Sequence, residues 1–306
     1  MSAPGKMSNR ISIYLPRLGL SALVLCIASG IVLVFIYRPM GNVFQNVEAI
    51  TTRIPYGWFF RQLHYGSGQV FVILMLLHTL DHFVRKRYRM YPLKEWVSLV
   101  TSLVLCFLTL FTGFVLKGDQ EGVFAGRIFM NILNAIPFAG ETVARLFIIP
   151  GNGFFFLPYL YHCFFLPLLI MYLMRAHIRE WFPDRRFMMI GALGLFVYAL
   201  FVKPAVDIPL EASLPEVQGP WFFLGIQTLL RWIPPVLAGL IIPGLFVACL
   251  LVLPALGGPS APTADCGIRN GCRAVETGLY YLLMAAIGVY ALLTLWAAIS
   301  QARLTP

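Results

Sequence analysis

Four of the chain's five histidines fall at two matched intervals. His64 and His78 are 14 residues apart and His162 and His177 are 15 apart, both in apolar sequence: GWFFRQLHYGSGQVFVILMLLHTLDHF at 57–83 and LYHCFFLPLLIMYLMRAH at 160–177. At 100° per residue each interval keeps its imidazoles within about 60° of one helix face and roughly 21–22 Å apart along the axis. Ionisable groups in hydrocarbon are costly and usually functional. If the two helices run the same way in an up-down bundle, His64 levels with His162 and His78 with His177. The spacing therefore predicts two stacked bis-histidine sites. Two imidazoles without a cysteine or carboxylate beside them suit a haem iron that carries electrons, whereas zinc takes more ligands. A lone histidine on an apolar helix is as readily a satisfied core residue; two matched pairs favour haem. Gly30, Gly66, Gly68 and Gly113 could let a macrocycle approach the backbone, or could serve plain helix packing.

The elements that must position these residues are membrane spans. With 59% hydrophobic residues, 12% charged residues and a mean hydropathy of +0.80, the 306 residues are far more apolar than a soluble domain. Six uncharged runs reach the roughly 20 residues that cross hydrocarbon: 18–37, 62–80, 96–116, 154–174, one within 232–256, and 277–300. A shorter seventh run covers 187–202. The expected fold class is an all-α integral membrane protein, with a four-helix haem-binding bundle at 1–180 and about three further transmembrane helices at 181–306. Loops at 117–153 and 203–231 are too long for mere connectors.

The formal charge of +10 does not point to nucleic acid, because the basic residues cluster between apolar runs, where they set topology. Placing the N-terminus in the cytoplasm puts 14 of the 23 Lys and Arg residues on that side, and both long loops then face outward. The polar N-terminus leads into a run of full membrane length with no small-residue cleavage site, which reads as a retained first helix. The six cysteines (26, 106, 163, 249, 266, 272) form no CxxC or CxxCH, so no covalent c-type haem is expected. Cys266 and Cys272 share a loop and could pair or stay reduced.

Several stretches carry a family resemblance: YRP at 37–39, YGWFFRQLH ending at His64, AIPFAGETVARLF in the first long loop, and H-x4-P-x9-H from His162 through Pro167 to His177. Residues 14–180 resemble a dihaem cytochrome b of the bc1/b6f superfamily, most closely a cytochrome b6, and the remainder more loosely resembles a subunit-IV-like part fused to it. The resemblance implies non-covalent haem b at His64/His162 near the outer surface and at His78/His177 near the cytoplasm. It also implies Arg61 on a haem propionate, Gly30 and Gly113 beside the macrocycle, and a quinol site walled by LPEVQGPWFFLGIQTLLR at 214–231. Further implications are a Rieske iron–sulfur protein or c-type cytochrome as partner, a homodimeric complex, and a bacterial inner membrane as location.

The departures from that pattern bear on mechanism. LKGDQ puts Lys117 and Gly118 where b6 relatives have Pro-Trp, and Gly219-Pro220-Trp221 stands where Pro-Glu-Trp is usual. Asp119, Glu121, Glu211 and Glu216 are the nearby carboxylates that could replace the missing glutamate, with Trp221 as part of the site or as an interfacial anchor. Tyr14 aligns near the position of the extra covalent haem of b6 and forms no thioether, and Pro16 and Leu99 align near expected glycines. His82, four residues after His78, could donate a proton to an inner quinone or pair with Asp81. Two other functions stay open: a non-bifurcating quinol dehydrogenase subunit feeding a multihaem c-type cytochrome, and a haem-free transporter or membrane anchor.

Overall fold

The computed structural model describes residues 4–204, 206–211, 217, 219–257 and 266–302, without the side chains of 4–12, 266–270, 301 and 302. Glu216 and the side chain of Cys266, and with it any pairing to Cys272, lie outside the described residues. The regular structure of the described residues is helical: α1 (Pro4–Val34), α2 (Val43–Thr52), α3 (Gly57–Val84), α4 (Leu93–Val115), α5 (Gln120–Asn134), α6 (Gly140–Phe147), α7 (Phe156–Leu160), α8 (Leu166–Trp181), α9 (Arg185–Phe201), α10 (Leu224–Leu229), α11 (Ile242–Gly257) and α12 (Cys266–Ala302).

Six described segments are long and apolar enough to cross a membrane: Ile13–Val34, Gly57–Val84, Leu93–Val115, Gly151–Trp181, Leu237–Gly257 and Gly271–Ser300. They coincide with the six long apolar runs of the sequence. The shorter run at 187–202 is α9, a helix of 17 residues. In hydrocarbon every polar group must be satisfied within the protein. The hydroxyls of Ser21, Ser29, Ser67 and Thr112 accordingly donate to carbonyls one turn back, those of Arg17, Leu25, Leu63 and Leu108, at 2.6–3.0 Å.

Two π-helical segments interrupt the spans, Tyr161–Phe165 and Leu237–Ile241. Each ends two residues before a proline, Pro167 or Pro243. Proline has no N–H, and its ring clashes with the carbonyl four residues back. The ladder widens ahead of it, with Leu166 N–H donating to Tyr161 O and Ile242 N–H to Leu237 O.

Both long loops carry helices of their own. Gly118, at φ +66°, takes a left-handed turn that few other residues adopt cheaply. The turn delivers Asp119 as the N-cap of α5, where its side chain accepts from Gly122 N at 2.9 Å. Gly118, half of the Lys117-Gly118 departure, therefore supplies the turn that presents the Asp119 cap. In the second loop, Pro220 opens a 3-10 turn at Trp221–Phe223 that leads into α10. Gln227 closes this segment, receiving Gly219 N–H at 2.9 Å and donating to Val217 O at 2.8 Å.

The chain forms two compact units. The first comprises Met1–Lys86, Ser102–Lys117 and Tyr159–Ile208. Its core contains Ala22 of α1, Leu63, Phe71, Val72 and Met75 of α3, Cys106 of α4, Ile170 of α8, and Leu195 and Ala199 of α9. Gly66 lets the Tyr198 ring of α9 rest on α3, and Gln62 donates to the Tyr198 hydroxyl at 3.0 Å. Gly66 thus serves helix packing, and Gly68 does the same against the Cys26 sulfur. Tyr37 of the YRP stretch stacks on Tyr159 at 5.6 Å and donates to Leu116 O at 3.0 Å. Burial pushes its hydroxyl above the usual tyrosine range.

The second unit comprises Arg87–Thr101, Gly118–Pro158 and Pro209–Pro306. Trp96 Nε1 donates to Leu250 O at 2.7 Å, and the Tyr290 hydroxyl donates to Phe222 O at 2.7 Å. The fully buried Glu276 of α12 receives Tyr88 Oη–H and a bidentate Arg89 guanidinium, at 2.8 and 2.6 Å.

Candidate cofactor site

The two histidine pairs lie in the first unit, and α3 contributes one member of each. Tyr56, left-handed at φ 59°, turns the chain into α3. Glycine is required next, since a Cβ on Gly57 would run into the backbone carbonyl of Ile50. That entry directs Arg61 and His64 from the first two turns of α3. The partner of His64 sits on the π segment, an irregularity that often marks functional positions.

His64 and His162 face each other with ring centroids 5.8 Å apart and planes at 80°. His64 Nδ1 lies 2.9 Å from Cys26 O, and His162 Nδ1 lies 2.9 Å from Thr109 O. A carbonyl oxygen only accepts, so Nδ1–H donates in both rings and each Nε2 keeps its lone pair. A hydrogen bond from the far ring nitrogen to a carbonyl orients an imidazole for a metal. Gly30 and Gly113 stand beside the two rings. A Cβ on Gly30 would come within 2.9 Å of His64 Cε1, and one on Gly113 within 2.6 Å of His162 Cε1.

At the other end of α3, about 21 Å along the axis, His78 and His177 have ring centroids 6.0 Å apart. Trp181 lies 6.2 Å from His78 and 6.3 Å from His177. His82 joins this group, with its ring centroid 4.3 Å from that of His78 and its Nδ1 on His78 O at 3.1 Å. His78 and His82 are buried.

The remaining sequence-derived candidates are placed as follows. Arg61 donates to Thr51 Oγ1 and to Asp207 Oδ1, both at 2.7 Å. Asp119 is buried as the α5 cap, Glu121 lies in the first turn of that helix, Trp221 is 37% exposed and Glu211 is exposed. Sequence reasoning missed Thr51, Asp207, Trp181 and the Tyr88–Arg89–Glu276 cluster. Trp181, four residues after His177, was legible as an i,i+4 neighbour. Asp207 and Glu276 find their partners 146 and 187 residues away, and local pattern gives no signal for such pairs.

The family model described as Cytochrome b/b6/petB matches residues 6–180. The cytochrome b of Bugula neritina is 27% identical over 316 residues, covering 87% of this chain and 84% of its own length. The cytochrome b of Rhodospirillum rubrum is 25% identical, over 86% of this chain and 73% of that protein. The cytochrome b6 of Porphyra purpurea is 32% identical, over 49% of this chain and 72% of that protein. A solved structure described as a hyperthermophilic respiratory Complex III superposes with a TM-score of 0.64 over 94% of this chain and 90% of that one, at 18% identity, a likeness of fold. Membership of this family implies haem b and quinol, and an assembly of several subunits. With the family model covering more than half of its length, the chain belongs to the cytochrome b/b6 family and is a multi-pass, membrane-embedded electron-transfer subunit of a quinol-oxidising complex of the bc1/b6f type.

Proposed function

We propose that the chain carries electrons from quinol through two b haems, one held by His64 and His162 and the other by His78 and His177. The observation that carries this reading is the pair of facing rings at 5.8 Å, each with its Nδ1–H on a backbone carbonyl. Two metal–nitrogen bonds of about 2 Å plus the half-widths of two imidazoles come to about 6 Å, so the spacing of both pairs fits a single iron. When bound, each haem supplies a one-electron carrier.

The chain's own residues do the rest. The Cys26 and Thr109 carbonyls hold the tautomers of His64 and His162, Gly30 and Gly113 leave the space next to those rings open, and Arg61 brings a cation within one turn of His64. Replacing Gly113 with alanine is expected to push His162 aside and lower the b-haem content of the purified chain toward one. A pyridine haemochrome assay that still finds two haems would remove Gly113 from the site.

Topology, partners and domains follow the same reading. The N-terminus is cytoplasmic, the His64/His162 pair lies toward the outer face, and the loops at 117–153 and 203–231 face outward. Residues 1–180 form the cytochrome b6-like part and residues 181–306 the subunit-IV-like part. Asp119, Glu121, Glu216 and Trp221 border the quinol site on that face, and His82 borders an inner quinone. The complex is a homodimer with a Rieske protein or c-type cytochrome, in a bacterial inner membrane.

One observation favours a second, linear route. Where a glutamate would take a proton from quinol, the chain has Pro220, which carries no ionisable group and opens the 3-10 turn at Trp221–Phe223. Rapid mixing of the complex with quinol, with and without an oxidised high-potential acceptor, separates the two readings. Extra haem b reduction provoked by the oxidant supports electron splitting at the outer site; oxidant that only drains the haems supports the linear route.

A further inference from the structure

Asp207 lies six residues beyond the end of α9, and the reading above gives it no part. Its Oδ1 receives Arg61 Nη2 at 2.7 Å, while Arg61 Nη1 donates to Thr51 Oγ1 at 2.7 Å. The Arg61 side chain is 18% exposed and that of Asp207 10%. Three separate pieces of chain meet here: the last turns of α2, the first turns of α3, and the segment after α9. Arg61 precedes His64 by three residues, one helical turn.

A guanidinium has five N–H donors in a rigid fork. Two are committed to Thr51 and Asp207, which leaves donors for a second anion but fixes the plane in which they point. The single positive charge is already balanced by Asp207. In this half-buried setting solvent and salt screen the pair only in part.

We propose that Asp207 is a positioning residue of the His64/His162 site: it aims Arg61 at that site and cancels the arginine's charge there, holding the reduction potential of the haem low. The proposal rests on the haem reading given above. An electron added to a haem is disfavoured by nearby negative charge and favoured by an unbalanced cation, so the sign of the effect is fixed. Its reach is fixed as well. The His78/His177 pair is about 21 Å beyond His64 along α3, and the Coulomb effect of a charge falls with distance, so it acts less on the haem there. The segment after α9 is thereby tied to the electron-transfer site by one ion pair.

Redox titration of the purified complex, resolving the two b haems, tests this. Asp207→Asn is expected to raise the potential of the His64/His162 haem, move that of the other haem by clearly less, and retain two haems per chain. Asp207→Glu, which keeps the charge, is expected to stay near wild type. An unmoved potential with two haems bound overturns the proposal alone, as does an equal shift of both haems. Fewer than two b haems in the wild-type chain overturns the haem reading, and the proposal with it.

Asp207→Asn leaves Arg61 without its anion and could fail to assemble. In that case the Arg61→Gln/Asp207→Asn double variant, neutral at both positions, decides. Recovery of both haems in the double variant supports the pairing. Failure of the double variant where Arg61→Gln alone holds both haems overturns it.

Discussion

Replacing His177 with alanine is expected to leave a folded chain with one b haem instead of two, its reduced-minus-oxidised absorbance near half of wild type. Each pair is self-contained. His64 and His162 are oriented by the carbonyls of Cys26 and Thr109, and neither hydrogen bond involves the His78 end of α3, about 21 Å away. Removing an axial ligand from one end therefore leaves the other end intact. His82 cannot rescue the loss, because it sits on α3 one turn from His78 and so on the same side of the pair as that ligand, whereas His177 comes from α8. Electron passage between the two ends should fall with the lost haem, to well under a tenth of the wild-type rate on the order-of-magnitude scale for lost cofactor ligation. Pyridine haemochrome stoichiometry and a redox titration check this together. Two haems retained, or both lost from a protein that still unfolds cooperatively, would contradict the assignment of two independent pairs.

How much of this was legible beforehand depends on the range of the interaction involved. The six spans follow from run length and composition, and the histidine pairs from the 3.6-residue period, so both were readable from consecutive residues. Pro167 and Pro243 carried a readable signal for the π segments, since each removes an N–H from an otherwise continuous ladder. Gly66 was ambiguous between cofactor clearance and packing. Only the arrival of Tyr198 from α9 decides that, and no pattern within α3 announces it. Arg61 was legible as a cation beside a candidate ligand, but its partner Asp207 was not. Lys117-Gly118 and Gly219-Pro220 read as losses against the family pattern, yet the fold uses them as a left-handed turn ahead of the Asp119 cap and as the entry to a 3-10 turn, with Gly219 N–H held by the Gln227 side chain. What stays hidden is the set of polar pairs closed by the tertiary fold, because a single charge in an apolar sequence looks alike whether its partner is solvent, lipid headgroup or a residue 187 positions away.

Glu276 is the case where such a hidden pair should matter most for stability. It has no exposed surface, and two of its donors differ: Tyr88 is fully buried and the Arg89 side chain is 42% exposed. Glu276→Ala takes the acceptor away from the Tyr88 hydroxyl and the Arg89 guanidinium at once. The Tyr88 hydroxyl then loses this acceptor, at about 1–3 kcal/mol, and a cavity opens beside Gly257, whose Cβ position lies 2.6 Å from the Glu276 carboxyl carbon. Arg89 regains water, which holds the total near the low end of the roughly 3–5 kcal/mol seen when a buried ion pair loses one member. Tyr88→Phe leaves the bidentate Arg89–Glu276 pair in place and should cost about half as much. Chemical denaturation of the detergent-solubilised chain measures the order, and Tyr88→Phe proving the costlier change would show that the phenol, not the ion pair, holds α12. The same cluster sets an alkaline limit. Burial first, and the hydrogen bond to Glu276 next, push the Tyr88 pKa above its ordinary value. A group whose folded-state pKa is raised contributes stability that is complete below its unfolded pKa, about 10 for tyrosine, and is lost as pH climbs from there through the folded value. Wild-type stability is therefore expected to decline above about pH 10, and Tyr88→Phe should make that decline shallower. An alkaline limb identical in the two proteins would remove Tyr88 as its source.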